Sequence, residues 1–331
     1  MDTVRWGIIG TGGVANLVAG DFRLVADAEL VAVGSRAQAT ADAFARKHHI
    51  PRAYGSYREL LDDDSIDVVY IGTPHPQHRD VALAAIERGK AVLVEKAFTA
   101  TYAGAKEVVD AARAQNVFLM EAMWTRFQPA IQAAKEVVAW GRIGDVVSVQ
   151  GDLIANRAFD PSERLFNRAM GGGALLDLGV YPISLAQFFL GEVKEVHCAA
   201  RLYPNGVDAA ASITLKHIGD SLSSLVCAFD GHGPGGFLIS GTKGWIEIQP
   251  RFHHPTSITI NRSGVLPRVI ETRAIGKGYA HQFAEVTQRI LAGDTESSTM
   301  PLSDTLEVMR VLEECTDQVG IQYEEATVDI G

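Results

Sequence analysis

Residues 7–15 read GIIGTGGVA. Gly10, Gly12 and Ala15 match the G-x-G-x-x-G/A pattern of a dinucleotide-binding turn, with Thr11, Gly13 and Val14 between them. Each small residue has a physical reason. Gly10 permits the tight turn, Gly12 lets a pyrophosphate approach the backbone, and Ala15 lets helix and strand pack closely. The N-terminus of the following helix offers unpaired N–H groups to an anion. The turn closes an apolar, β-branched run, Val4 to Ile9, and opens an apolar-periodic segment from Val14. Working outward, the alternation continues. Strands are expected at Glu29 to Gly34, Asp67 to Ile71, Ala91 to Val94 and Val117 to Met120. Helices are expected at Thr40 to His48, Gln77 to Arg88 and Ala103 to Ala114. Strands that are apolar throughout are buried on both faces, so the expectation is a doubly wound parallel sheet of Rossmann type.

The texture changes after Arg126. One further helix, Gln128 to Trp140, leads into alternating β-rich segments between Val146 and Asn261, interrupted by a helix at Leu178 to Leu190. Two helices, Tyr279 to Ala292 and Ser303 to Val319, close the chain. The reading is α/β plus α+β. A dinucleotide domain spans 1–122, and a substrate-binding and oligomerisation domain spans 123–331. The latter is a mostly antiparallel open sheet with helices on one face, its last helix free to pack back on the first domain. An open sheet leaves one face uncovered, and pairing with a second copy, as a homodimer or higher homo-oligomer, is the natural way to hide it.

Composition narrows the function. The 331 residues carry 30 Lys+Arg against 40 Asp+Glu, a net charge of −10, with 47% hydrophobic residues. That balance excludes disorder, and the acidic surplus makes nucleic acid or an anionic membrane a poor partner. No apolar run approaches the ~18–20 residues of a membrane helix, and no leader pattern opens the chain. Three cysteines, Cys198, Cys227 and Cys315, lie far apart in sequence. They suggest no disulfide framework or metal cluster, and a reducing cytoplasm fits them. His253 and His254 are poorly spaced for one metal ion and read as loop residues.

The cofactor's adenosine end is read at the close of the second strand. An NAD site places a carboxylate there; this chain has Ser35 and Arg36, and a guanidinium suits a 2′-phosphate. NADP is the expectation, NAD the alternative. In an open parallel sheet, ligands lie beyond the carboxyl ends of the strands. That places Thr73, Pro74, His75 and His78, in GTPHPQH (72–78), and Glu95 and Lys96, in VEKA (94–97), toward the nicotinamide.

Together these stretches, with GGGALLDLGVYPI at 171–183, resemble the glucose–fructose oxidoreductase / inositol dehydrogenase / rhizopine-catabolism (Gfo/Idh/MocA) family over nearly the whole chain. FLMEAMWTRFQP (118–129) resembles that family's dihydrodiol dehydrogenase branch. The resemblance implies that Lys96 reaches cofactor and substrate, and that Asp177 and Tyr181 belong to the catalytic segment. Ala97 stands where the family usually has proline, and Tyr181 where many members have histidine. Oxidising a carbinol needs a base for the hydroxyl proton. A phenol titrates near ~10, and a neighbouring ammonium favours its phenolate, so a Lys96–Tyr181 pair makes chemical sense. Asp177 would orient the polar network. Gly171 to Gly173 are read as letting backbone approach a ligand. Trp124, Arg126, Phe127, Asn156, Phe159, Arg164 and Tyr181 are candidates for a substrate wall facing a sugar or dihydrodiol. The rival expectation is a catalytically silent NAD(P)-binding regulator of the same fold.

Overall fold

A computed structural model describes residues 3–331. Two compact units emerge. The first comprises the chain up to Ala122, Ile275–Leu306 and Glu324–Gly331; the second comprises Met123–Ala274 and Glu307–Tyr323. The expected second domain of 123–331 is therefore shorter, because two C-terminal segments join the first unit.

The first unit is built from β1 (Val4–Ile9), α1 (Gly13–Asp21), β2 (Ala28–Gly34), α2 (Gln38–His48), β3 (Arg52–Tyr54), α3 (Tyr57–Leu61), β4 (Val68–Ile71), α4 (His78–Glu87), β5 (Ala91–Glu95), α5 (Tyr102–Gln115) and β6 (Leu119–Ala122). Its sheet has the order β3-β2-β1-β4-β5-β6, every pair parallel. The order reverses at β1/β4, which places the ends of those strands at the topological switch point. β4 and β5 are buried at every position, as their unbroken apolar sequences require. β3, the short edge strand just after Pro51, was not anticipated from sequence; only three residues pair there. Helix α8 (Ala280–Ala292) returns to this unit and packs Phe283 against Trp6 and Phe22, with ring centroids 5.3 and 4.2 Å away. Aromatic contacts of this kind add to plain area burial, which explains the docking of a segment so distant in sequence.

The second unit contains α6 (Pro129–Ala139), β7 (Val146–Ile154), α7 (Val180–Leu190), β8 (Val193–Leu202), β9 (Asp208–His217), β10 (Leu222–Ala228), β11 (Phe237–Gly241), β12 (Gly244–Ile248), β13 (Ser257–Arg262) and β14 (Val265–Glu271). The sheet order is β14-β13-β12-β11-β7-β10-β9-β8, antiparallel throughout except for β7 with β10. Inward residues such as Val149, Leu225, Ile239 and Ile246 are fully buried beneath α6 and α7. The opposite face carries Leu222 and Trp245, 50% and 42% exposed, among polar neighbours. Gly151 is needed on β7, since a Cβ there would lie 2.4 Å from the Phe237 ring of the next strand.

Just before α7 the winding widens: Leu175–Gly179 is a π-turn, in which Val180 N–H reaches back five residues to Leu175 O. Pro182 has no N–H to give to the Leu178 carbonyl, and a wider turn accommodates that loss. Contrary to the sequence expectation, the helical run Arg168–Leu190 is long and apolar enough, by length and composition, to cross a bilayer. It is 83% buried within the protein and forms the core of its unit. The last helix, α9 (Leu302–Gln318), runs along the edge strand β8 through its Glu307–Gln318 portion.

Candidate active site

In the first unit the candidate cofactor-binding groups are mostly backbone. Gly10 has φ +98°, and a Cβ there would sit 3.0 Å from the Gly72 carbonyl of the neighbouring strand end, so only glycine fits. Gly12 and Gly13 face open space: nothing lies within 4 Å of where a Cβ would stand. Helix α1 starts at Gly13 with no side-chain cap and no acidic residue in its first turn. Asn16 gathers the loop's carbonyls, its Nδ2 donating to Thr11 O (3.2 Å) and Gly12 O (3.0 Å). Open space, uncapped N–H groups and a favourable dipole fit a dinucleotide pyrophosphate. At the end of β2, Ser35 is buried with its N–H on Tyr54 O (3.1 Å), and Arg36 is exposed. No carboxylate follows until Asp42, inside α2.

The ends of β4 and β5 are clipped together. His78, fully buried, places Nε2 2.7 Å from Thr73 O and Nδ1 3.1 and 3.2 Å from Ala97 O and Phe98 O. The Lys96–Ala97 peptide is cis, although residue 97 is alanine. Glu95 anchors this turn, accepting from Tyr70 OH (2.7 Å) and Lys96 N–H (3.2 Å). Lys96 is half-buried; His75 is buried beside His78, with ring centroids 5.7 Å apart. Thr73 Oγ1 is buried with no partner, a polar atom that a bound nicotinamide carboxamide or ribose could satisfy. Sequence reading missed a strap across these loops. Glu325 Oε1 accepts from Ala100 N–H (3.0 Å), Thr101 N–H (2.8 Å) and Thr101 Oγ1 (2.9 Å), and Ala326 N–H donates to Pro76 O (2.7 Å). Gly104 makes room for that carboxylate, whose protonation burial favours.

In the second unit the groups are side chains. Tyr181 lies at the start of α7, and Trp124 Nε1 donates to its phenol oxygen at 3.1 Å. His253 packs on Tyr181 with centroids 5.5 Å apart, and His254 lies 5.7 Å from Trp124 at a 33° tilt. Thr125 Oγ1 holds the His253 carbonyl at 3.0 Å. The two histidines lie in the β12–β13 loop, as expected, and there join the aromatic cluster; burial favours the neutral form of His254. No spacing signal could have revealed them, since their partners are remote in sequence. Asp177 in the π-turn pairs with Arg164 at 2.8 Å, bringing two predicted site residues together.

Four other predicted residues have different surroundings. Arg126 is fully buried, donating to Ser184 Oγ (3.0 Å), Ser184 O (3.0 Å) and Gln187 Oε1 (2.6 Å). It fastens the 3₁₀ turn Trp124–Phe127 to α7, the work of a core residue, and Phe127 is buried in the same turn. Asn156 is exposed and bonded to His232 (2.8 Å). Phe159 stacks on Tyr203 at 4.5 Å.

The triple glycine also departs from expectation. A Cβ on Gly172 would meet Arg164 O at 2.5 Å, and one on Gly173 would meet Asp208 Oδ1 at 2.1 Å. These glycines give way to the protein's own atoms. Asp208, fully buried, accepts from Leu175 N–H at 2.6 Å and so caps the run that carries Asp177 and Tyr181. Burial pushes its carboxyl up to about 6. Tyr323 OH completes the knot by donating to Gly172 O at 2.7 Å.

The model of an oxidoreductase family with an NAD-binding Rossmann fold matches residues 4–123, and the Gfo/Idh/MocA C-terminal domain model matches residues 131–247. This chain belongs to the Gfo/Idh/MocA oxidoreductase family. Trans-1,2-dihydrobenzene-1,2-diol dehydrogenase of Mus musculus is 35% identical over 338 residues, covering 97% of this chain and 98% of its own. Among solved structures, levoglucosan dehydrogenase in complex with NADH and levoglucosan superposes with TM-score 0.88 at 21% identity, covering 96% of this chain and 97% of its own. A 3-ketoreductase from Actinomadura kijaniata in complex with NADP and TDP-benzene gives 0.84 at 23% identity, covering 98% and 100%. As a family member with named dehydrogenase relatives, the chain is an NAD(P)-dependent dehydrogenase acting on CH–OH groups.

Proposed function

We propose that this family member moves hydride between NADP and the secondary alcohol or hemiacetal of a ring substrate, either a trans-dihydrodiol or an aldopyranose. The observation that carries the reading is the indole N–H of Trp124 donated to the Tyr181 oxygen at 3.1 Å. Indole can only donate, so the phenol's own hydrogen is not spent on it. A hydrogen bond received by the oxygen also favours the phenolate over the neutral phenol. When bound, the nicotinamide accepts or returns the hydride. Tyr181 takes the substrate hydroxyl proton and gives it back in the reverse direction. Lys96, at the end of β5, is the cation proposed to hold the substrate oxygen. Asp177, fixed by Arg164, orients the neighbouring polar groups. Trp124, His253 and His254 supply flat surfaces suited to a ring.

NADP is favoured because Arg36 stands where an NAD site needs a carboxylate. A second copy of the chain is the proposed partner, seated on the open sheet face with Leu222 and Trp245 at its centre; sedentation by ultracentrifugation tests this directly. Free cysteines suit a cytoplasmic setting.

The test is a spectrophotometric screen of benzene trans-dihydrodiol, xylose and glucose with NADP and with NAD. Reduction of NADP by at least one substrate is the expected result. Binding of NADP by calorimetry with no turnover across the panel would instead favour a silent regulator.

A further inference from the structure

All three cysteines, remote in sequence, converge on one side of the second unit. Cys198 on edge strand β8 and Leu225 on β10 both oppose Ile213 of β9, while Cys227 of β10 opposes Ala211, two residues along the same strand. Side chains directly opposite share a face, so Cys198 and Cys227 point to the same side of the sheet, one row apart. Helix α9 lies along the free edge of β8 and satisfies its backbone. Val193 N–H donates to Glu307 Oε1 (2.7 Å), Cys198 N–H donates to Gln318 Oε1 (2.8 Å), and Gln318 Nε2 donates to Val196 O (2.9 Å). Cys315 sits three residues before Gln318, on the same side of the helix. Cys315 and Cys198 are each the largest influence on the other's acidity, Cys198 lowered and Cys315 raised.

We propose that Cys198 and Cys315 form an oxidation site, a thiol pair that a hydroperoxide closes into an intramolecular disulfide with Cys198 as the attacking sulfur. Cys198 is the half-buried member and its neighbour Cys315 favours its thiolate; Cys315 is fully buried and holds its proton. In the first step the Cys198 sulfur attacks one peroxide oxygen, the O–O bond breaks, and the alcohol leaves with a proton, giving a sulfenic acid. In the second, the Cys315 sulfur attacks the Cys198 sulfur, the S–O bond breaks, and water leaves carrying the Cys315 proton. Two thiols lose two electrons and two protons, and the hydroperoxide is reduced to alcohol and water. Cys227 stays out of this exchange: it is fully buried, burial pushes its thiol up, and it packs beneath Gly179, where a Cβ would be 3.2 Å from its sulfur. The disulfide would staple the edge strand to the helix that covers it.

The test treats the full folded chain with hydrogen peroxide, followed by intact mass and mapping of unreduced peptides. Wild type and Cys227→Ser should lose two hydrogens and yield a Cys198–Cys315 crosslinked peptide, reversed by dithiothreitol. Cys198→Ser should yield no crosslink, and Cys315→Ser should leave a dimedone-reactive sulfenic acid at Cys198. Cys198 should react at least about tenfold faster than Cys227. A crosslink to Cys227, disulfides between chains, or sulfinic acid at Cys198 without any crosslink would each overturn the proposal.

Discussion

In the first unit, the groups proposed to meet a dinucleotide lie within a few residues of a strand end: Gly10 to Ala15 after β1, Ser35 and Arg36 after β2, Thr73 after β4 and Lys96 after β5. Most contribute backbone N–H groups or a single local side chain. The second unit builds its candidate site from remote pieces. Trp124 reaches Tyr181 across 57 positions, His253 comes from a turn between β12 and β13, and Asp208 on β9 caps the run from below. A phosphate needs many weak donors on a rigid turn, which local backbone supplies. A proton-transfer group needs one side chain held firmly, and packing against distant neighbours supplies that. Damage to the first unit should therefore change affinity, and damage to the second should change turnover or stability.

Lys96 is the exception that sharpens the contrast, because it rises from the nucleotide unit yet is assigned to the chemistry. Lys96→Met should lower kcat by about 10²–10⁴-fold, the usual range for losing an acid–base group or its electrostatic support. The side chain is only half-buried, so the melting temperature should hold. Steady-state kinetics beside a thermal melt separates these effects, and a lysine serving only to bind cofactor would raise KM alone.

Next in size is a pH effect confined to the second unit. Asp208 titrates at about 6 in the folded chain against 3.8 as the ordinary value. Between those values the native state binds a proton that the unfolded state has released, so stability falls as pH rises through this window. The loss from this one group is about 3 kcal/mol, complete above pH 6. Asp63 in the first unit runs the other way. Hydrogen bonds from Ser65 and Tyr54 and the charge of Arg52, against opposing desolvation, hold its carboxyl down at about 2. Its contribution is present above pH 3.8 and is lost as pH falls toward 2. Urea unfolding at pH 4.5 and 7.5 should show Asp208→Asn with a flatter profile than wild type across that interval, and Asp63→Asn with an unchanged one.

A smaller effect belongs to the adenosine end. Arg36→Ala should weaken NADP by about tenfold, the worth of a charge-assisted hydrogen bond to phosphate, while leaving NAD affinity unaltered. Equal losses for both cofactors, read by calorimetry, would remove Arg36 from the 2′-phosphate. Smallest is the strap. Glu325→Gln keeps an acceptor for Ala100, Thr101 and its hydroxyl but gives up the charge, and should cost about 1 kcal/mol in a urea melt with kcat intact.

The same contrast governs what could be read from the amino-acid order. The glycine turn, the parallel alternation and the strand-end residues are local requirements, so they are visible. β14 was not seen because all but one of its residues are exposed, leaving no inward alternation to detect. The π-turn was missed although Pro182 hinted at it. Gly172 and Gly173 were visible as glycines, but their crowding partners, Arg164 O and Asp208, were not. Arg126 looked like a polar tip for a substrate, because sequence alone could not place Ser184 and Gln187 around it. The cysteine pair was hidden for the same reason, being joined only by the packing of α9 on β8.

The central claim is that Tyr181 carries the proton, and Tyr181→Phe tests it most directly because the ring and its packing remain while only the hydroxyl is lost. Single-turnover kinetics with NADP, alongside calorimetric NADP binding, should show the hydride step slowed about 10³-fold and the dissociation constant changed less than about twofold. A hydride step within about threefold of wild type would contradict the account and return Tyr181 to the core of its unit.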